Sequence, residues 1–437
     1  MNIDNSYFFF QILDTQNFYF PENRFGIFIS QIPIILAAKI GLPMYFMVYL
    51  YSIIFPIEYF LIAWVCYKFL KVKAAAFAIA FSLIIGVAFS FFHPVTETYH
   101  ALVFSGFLYA VLASPVWVNY PKIIAYISLL AVAILAIVSH PIGLFTVGFV
   151  AVFTFINKQI KLSMALVLIA IILMALVFRM MQSNKESYDV QQYQNLFTNL
   201  KSFTHLSDFY PFLYLKTRLP GVYLSSIILF IVYVYISIKS KRFLALAFSL
   251  LAFIGFTLLA MLTFLKGDAD IMMEKSFMPG LFMIVLPFSY LCFQKEYFQN
   301  KIMVSVTLMI AVVSFVQIIK AANYPVKRLK KLEEVMTLQT YPKIIASYSD
   351  FENQDLFFNH WNTGIDSYIL AKCKLQKEST IFLTDNKNTF PIDSNDLTLF
   401  LGPTWWAGWH TNSYKSNYFQ LPAVPYHPYL VNPKINQ

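Results

Sequence analysis

Titratable side chains are scarce in this chain, and most of them fall in short stretches between long apolar runs. In FFHPVTETYHALVF (91–104), Pro94 suits the first turn of a helix, after which Glu97 and His100 stand three residues apart on one face, with His93 just ahead. A carboxylate and an imidazole so spaced could bind one ligand or one metal ion, or cap the end of a span at headgroup level. His140, in the corner Ser139-His140-Pro141, and Arg179, closing another apolar run, occupy similar positions. In KGDADIMMEKSFMPGLFMIVLPFSY (266–290), acids and two lysines precede an apolar run. Lys275 there can hold a phosphate as a point charge at the positive end of a helix dipole, or snorkel among solvated acids. NIDNSYFFFQILDTQNFYF (2–20) sets Asp4 and Asp14 among aromatic residues, with Tyr7 close to Asp4.

GPTWWAGWHTNSY (402–414) concentrates Trp405, Trp406 and Trp409 beside His410, and NHWNTG (359–364) adds Trp361. Flat indoles stack on sugar faces while their N–H groups bond hydroxyls; equally, they form interfacial belts that dock a domain on a bilayer. Glu58 in FPIEYFL (55–61) is the one acid well inside an apolar run. Counted from Met44 at 1.5 Å per residue, it lies roughly 20 Å from the outer surface. It reads as a hydrogen bond within the bundle beside Pro56, too deep to join the other acids.

The elements that must position these residues follow from composition. Of 437 residues, 59% are hydrophobic and only 12% charged, which excludes an ordinary soluble domain. Ten apolar runs read as each long enough to cross roughly 30 Å of hydrocarbon: 44–67, 74–92, 101–118, 123–139, 141–156, 162–178, 222–238, 243–265, 277–293 and 302–319. They do not alternate as barrel strands do. The expected fold is an all-α polytopic membrane helical bundle of about ten spans, with a small C-terminal α/β extracytoplasmic domain. Cys66, Cys292 and Cys373 lie in separate segments, so neither a disulfide framework nor a zinc site is indicated. Glycine is sparse, 13 residues, and no Gly-rich phosphate loop occurs.

The net charge of +10 reads as topology rather than nucleic-acid binding. Lys68, Lys71 and Lys73, then Lys158 and Lys161, then Lys239, Lys241 and Arg242, then Lys295 and Lys301, occupy every second loop, which is therefore cytoplasmic. The alternate loops, the long loop 180–221 and both termini then face outward. This gives three regions: an extracytoplasmic loop with an interfacial helix over 1–43, a transmembrane domain over 44–320, and an extracytoplasmic α/β domain over 321–437. In that last region 325–339 and 366–375 read as helices and 379–385 and 397–402 as strands.

The arrangement resembles the GT-C superfamily of integral membrane glycosyltransferases that use polyprenyl-phosphate-linked sugars. IDNSYFFF (3–10) is similar to the acidic motif of that superfamily's first extracytoplasmic loop, with Asn5 where a second acid is usual. FPENRFGIFISQIP (20–33) resembles the interfacial helices that follow, and KSFMPGLFMIVLPF (275–288) resembles a late span that begins Arg-Tyr-x-x-Pro, with Lys275 replacing the arginine. The superfamily's first span has no counterpart, as if the chain began one span late. The resemblance implies a multi-pass protein of a bacterial inner membrane that transfers sugar to a lipid, glycan or protein acceptor. It implies Asp4 as general base, and Lys275 with Arg179, His93 or His100 as stabilisers of the departing lipid phosphate. Tyr7, Glu97, His140 and the tryptophans 405, 406 and 409 would line the substrate site. No cofactor is required; a divalent metal is left open, and nucleic acid is not a partner.

Two other functions fit the same residues. A transporter or envelope assembly component would place polar groups at mid-membrane, where the sequence offers only Glu58. A polysaccharide polymerase or ligase would instead use His205, Lys216 and Arg218 of the loop 180–221.

Overall fold

Apolar runs without alternation become helices because i to i−4 bonding satisfies every backbone polar group without water. The computed structural model describes residues 4–93, 97–116, 121–182, 188–201, 209–263, 270–351, 354–357, 362–384, 396–402, 409–410 and 415–429. Most of these residues are helical. In chain order the helices are α1 (Asp4–Thr15), α2 (Phe28–Lys39), α3 (Met44–Lys68), α4 (Lys73–Ser82), α5 (Glu97–Ala113), α6 (Lys122–Ser139) and α7 (Ile142–Ile156). They continue as α8 (Leu162–Gln182), α9 (Tyr188–Lys201), α10 (Tyr210–Arg218), α11 (Leu224–Lys239), α12 (Phe243–Thr263), α13 (Asp270–Gln294), α14 (Lys301–Leu338) and α15 (Thr363–Leu370). Each expected run contains a helix, and among the described residues α3, α6, α12, α13 and α14 are long and apolar enough to cross a membrane.

α13 is the centre of the bundle: 89% of its most apolar stretch is buried, against 22–33% for the other four. It packs on α4, α5, α7, α11 and α12. Around it, the turns after α3, α7 and α11 close alike. Val72 N–H donates to Cys66 O, Gln159 N–H to Thr154 O and Arg242 N–H to Ser237 O, each at 2.9 Å. The latter two are six-to-one bonds and the first spans one residue more; each turn carries a left-handed residue at the helix end, Lys71, Lys158 and Lys241, with φ of 58°, 57° and 56°. A lysine there tolerates mild strain and offsets the negative end of the helix dipole.

Four expectations change. The run 74–92 is helical only to Ser82; irregular backbone follows, then a single 3₁₀ turn, Ser90–Phe92. Gly86 breaks it: its φ is +65°, and a Cβ there would lie 2.2 Å from Leu281 Cδ1. The opening stretch is not loop but α1, because Asn5, Phe9, Ile12 and Leu13 recur at helical spacing and are buried. The loop expected over 180–221 carries helices of its own, α9 and α10, among its described residues. The last span and the amphipathic helix expected at 325–339 are one helix, α14, continuous through Pro325, with Arg328, Leu332, Val335 and Met336 buried under the tail.

That tail carries a parallel three-stranded sheet, β1 (Lys343–Ser347), β2 (Thr380–Thr384) and β5 (His427–Pro428), in the order β2-β1-β5. β3 (Leu399–Phe400) and β4 (Trp409–His410) pair antiparallel. α15 crosses from β1 to β2 and leans on α1 and α14. Arg328 Nη1 lies 2.6 Å from Asp366 Oδ2, both fully buried, and Arg328 Nη2 donates to Thr363 Oγ1 at 3.1 Å. The Ser6 hydroxyl of α1 donates to Asp366 and accepts from Asn362 Nδ2. Regions 1–43 and 321–437 are thus joined by a buried polar network.

Removing one partner of a buried ion pair strands the other, so Arg328→Met should cost about 3–5 kcal/mol in chemical denaturation of the detergent-solubilised protein. Burial pushes the Lys343 ammonium down to about 8 from its ordinary 10.5, though Asp396 opposes this. Below pH 8 the folded chain carries that buried charge at a cost. Stability should therefore rise as pH climbs from about 8 toward 10.5, where only the unfolded chain still binds the proton. The difference between wild type and Lys343→Met in unfolding midpoint across that window measures it.

Candidate functional site

The segment Ala88–His93 is where the candidate residues gather. Glu274, in the first turns of α13 and fully buried, accepts from the backbone N–H groups of Ala88, Phe89 and Ser90 at 3.0, 3.1 and 2.8 Å and from the Ser90 hydroxyl at 2.8 Å. A run that leaves helical geometry without water must find such acceptors, and this carboxylate supplies them. From the other side, Asn5 Nδ2 of α1 donates to Phe92 O at 3.4 Å. Asn5 and Glu274 are thereby held two hydrogen bonds and two peptide links apart. Asp4 opens α1 beside Asn5, and its side chain is outside the described atoms; Lys275 follows Glu274 and is buried at 6% exposure, so it does not snorkel. Arg218 of α10 stands over the Phe89 ring, 5.8 Å from its centroid. His93 is buried, its backbone N–H donating to Ser90 O at 2.9 Å.

α5 begins just beyond this segment, and its two candidates diverge. Glu97 turns toward Arg24, with Nη1 3.7 Å from Oε1. His100, fully buried, lies 2.9 Å from Ser30 Oγ through Nε2 and 3.3 Å from the Tyr59 hydroxyl through Nδ1. Ser30 Oγ also donates to Glu58, whose Oε2 is 3.5 Å from His100 Nε2. One proton arrangement satisfies this chain: Tyr59 O–H to Nδ1, Nε2–H to Ser30 Oγ, and Ser30 O–H to the carboxylate. Glu58 thus makes the hydrogen bond within the bundle that was expected, but it also meets His100, so it is not too deep to join the other candidates. α2 lies against α3 and bridges the two helices at Ser30.

The remaining candidates are dispersed. Tyr7 meets Tyr19, hydroxyl to hydroxyl at 3.5 Å, with rings edge to face. Burial, then the adjacent Tyr7 hydroxyl, push the Tyr19 phenol above its ordinary range. His140 Nδ1 accepts from Ile142 N–H at 3.2 Å and so caps the start of α7. Arg179 lies in the last turns of α8 and Trp409 in β4, with side chains beyond the described atoms; Trp405, Trp406 and Trp361 fall outside the described residues. Among the described residues no three His, Cys, Asp or Glu side chains gather to hold a metal ion. Arg24 entered only as part of the stretch FPENRFGIFISQIP, without a partner, and Ser30, Tyr59 and Ser90 carried no usable signal, because single serines and tyrosines in apolar runs are common.

Glu274→Ala should leave three N–H groups buried without an acceptor, costing about 1–3 kcal/mol for each group that water cannot reach. Hydrogen exchange at Ala88–Ser90 should accelerate before the rest of the bundle. No family model, no curated protein and no solved structure matches this chain, so its function rests on the residues and geometry described above.

Proposed function

We propose that this chain is a polytopic membrane glycosyltransferase of GT-C type. It transfers a sugar from a polyprenyl-phosphate-linked donor to a lipid, glycan or protein acceptor on the extracytoplasmic face of a bacterial inner membrane. The observation that carries this reading is the clamping of Ala88–His93 between the first turns of α1 and α13, beside Asp4 and Lys275. Helical placement of ten apolar runs and the lysines in alternate turns support the multi-pass topology.

In this reading Asp4 takes the proton from an acceptor hydroxyl as that oxygen bonds to the anomeric carbon. The bond from that carbon to the lipid phosphate oxygen breaks, inverting the centre and releasing polyprenyl phosphate. Lys275, with Arg218 nearby on the same segment, offsets the charge gathering on the departing phosphate. A buried lysine serves this purpose better than an exposed one, since the surrounding medium screens it less.

The Glu58–Ser30–His100–Tyr59 chain favours a second reading, a proton-coupled transporter, because ionisable side chains inside a span are functional by default. Substitutions separate the two. Asp4→Asn should lower sugar transfer from a panel of polyprenyl-phosphate sugars by about 10²- to 10⁴-fold while the thermal transition is unchanged. Retained transfer in that variant, together with loss of activity in Glu58→Gln, would overturn the transferase reading in favour of transport.

A further inference from the structure

At the opposite end of α13 from Glu274, about 30 Å away at 1.5 Å per residue, the bundle opens into a cleft of about 500 Å³. Its walls come from the turn between α3 and α4, the inner face of α5, the turn after α7 and the last residues of α13. The polar lining is unbalanced toward donors. Lys71 and Lys73 contribute two ammonium groups, Gln159 and Gln294 amides, and Tyr109 a hydroxyl, against the single carboxylate of Glu296. The start of α4 adds to this: Val72 gives its first turn no side-chain cap, and Lys73 and Ala74 of that turn line the same cleft.

A second observation points to a ligand. Tyr109 is 1% exposed, and its hydroxyl accepts from Gln159 Nε2 at 3.3 Å, while Gln159 Oε1 is shielded from solvent with no hydrogen-bond partner. As drawn, the Tyr109 proton is left to donate. With the amide turned over, Tyr109 would donate to Oε1 and the Gln159 NH₂ would be left to donate instead. Either way this pair, buried at Tyr109 and half-buried at Gln159, keeps a donor to spare in a cleft that already carries two cations. Gln294 Oε1, on the far wall, accepts from Arg242 at 3.0 Å, which turns that amide's own N–H groups away from Arg242.

We infer that this cleft binds a phosphate anion, held by Lys71, Lys73 and the Tyr109–Gln159 pair. The site is separate from the Asp4 and Lys275 region and rests on the membrane reading only for the bilayer side that supplies its ligand. An anionic phospholipid headgroup and a soluble phosphate offer the same chemistry, and they can be told apart.

The test uses the full chain purified in a neutral detergent. Thermal transitions and binding isotherms are recorded with phosphatidylglycerol mixed micelles, with zwitterionic phosphatidylcholine micelles, and with inorganic phosphate at constant ionic strength. Saturable stabilisation by phosphatidylglycerol but not phosphatidylcholine identifies a lipid headgroup; stabilisation by inorganic phosphate identifies a soluble ligand. In either case Tyr109→Phe, which keeps shape and packing, and Lys73→Met should each weaken the apparent Kd by about tenfold, the worth of one charge-assisted hydrogen bond. Without ligand the Lys73→Met transition should match wild type, and that of Tyr109→Phe should fall only by the loss of its bond to Gln159. No saturable effect of either probe, or an effect that both variants retain in full, overturns the site. Sugar transfer assayed on the same variants should be unaltered in the absence of the ligand, so failure here and failure of the transferase reading are distinct results.

Discussion

Backbone that leaves helical geometry inside an apolar bundle must find partners for its N–H groups in the protein itself, because water is absent there. The interruption after Ser82 meets that constraint through one carboxylate, Glu274, which takes three successive backbone donors and a serine hydroxyl. Much else follows from this placement. α13 must run through the centre of the bundle for Glu274 to reach Ala88, and the ordered segment in turn offers Phe92 O to α1 and the Phe89 ring to Arg218.

The second constraint is charge burial. Arg328, Asp366, Ser6 and Asn362 close a network with no exposed ionic member, and Glu58, Ser30, His100 and Tyr59 close another. Buried ionic groups contribute little net stability compared with apolar packing, but they tolerate few alternative arrangements. Here each network ties together elements distant in sequence, the first joining α1 to the tail and the second joining α2, α3 and α5.

The two ends of the bundle differ in chemistry. The end with Glu274 gathers carboxylates, a buried lysine and histidines around an irregular segment, whereas the other gathers lysines on tight, left-handed helix turns. Two of those turns, the ones after α3 and α7, also shape the wall of the basic cleft. Local capping and long-range electrostatics thus act through the same residues.

The apolar runs were legible in the sequence because helix formation there depends on length and hydropathy alone, and each run is helical over much of its extent. The tail's β2 and β3 were legible from local pattern, while β1, β4 and β5 were not: β1 is buried on both faces and shows no alternation, and β4 and β5 are two residues each. Glu97 and His100 could be placed on one helix, but not with which partners, since Arg24 and Ser30 reach them from segments some 70 residues away. Glu274 was visible only as one acid among several before a span. That it binds the segment 88–90, and that α1 and the tail share a buried ion network, depend on which helices neighbour one another. Neighbours are chosen by side-chain packing across the whole chain, which no local window of sequence contains.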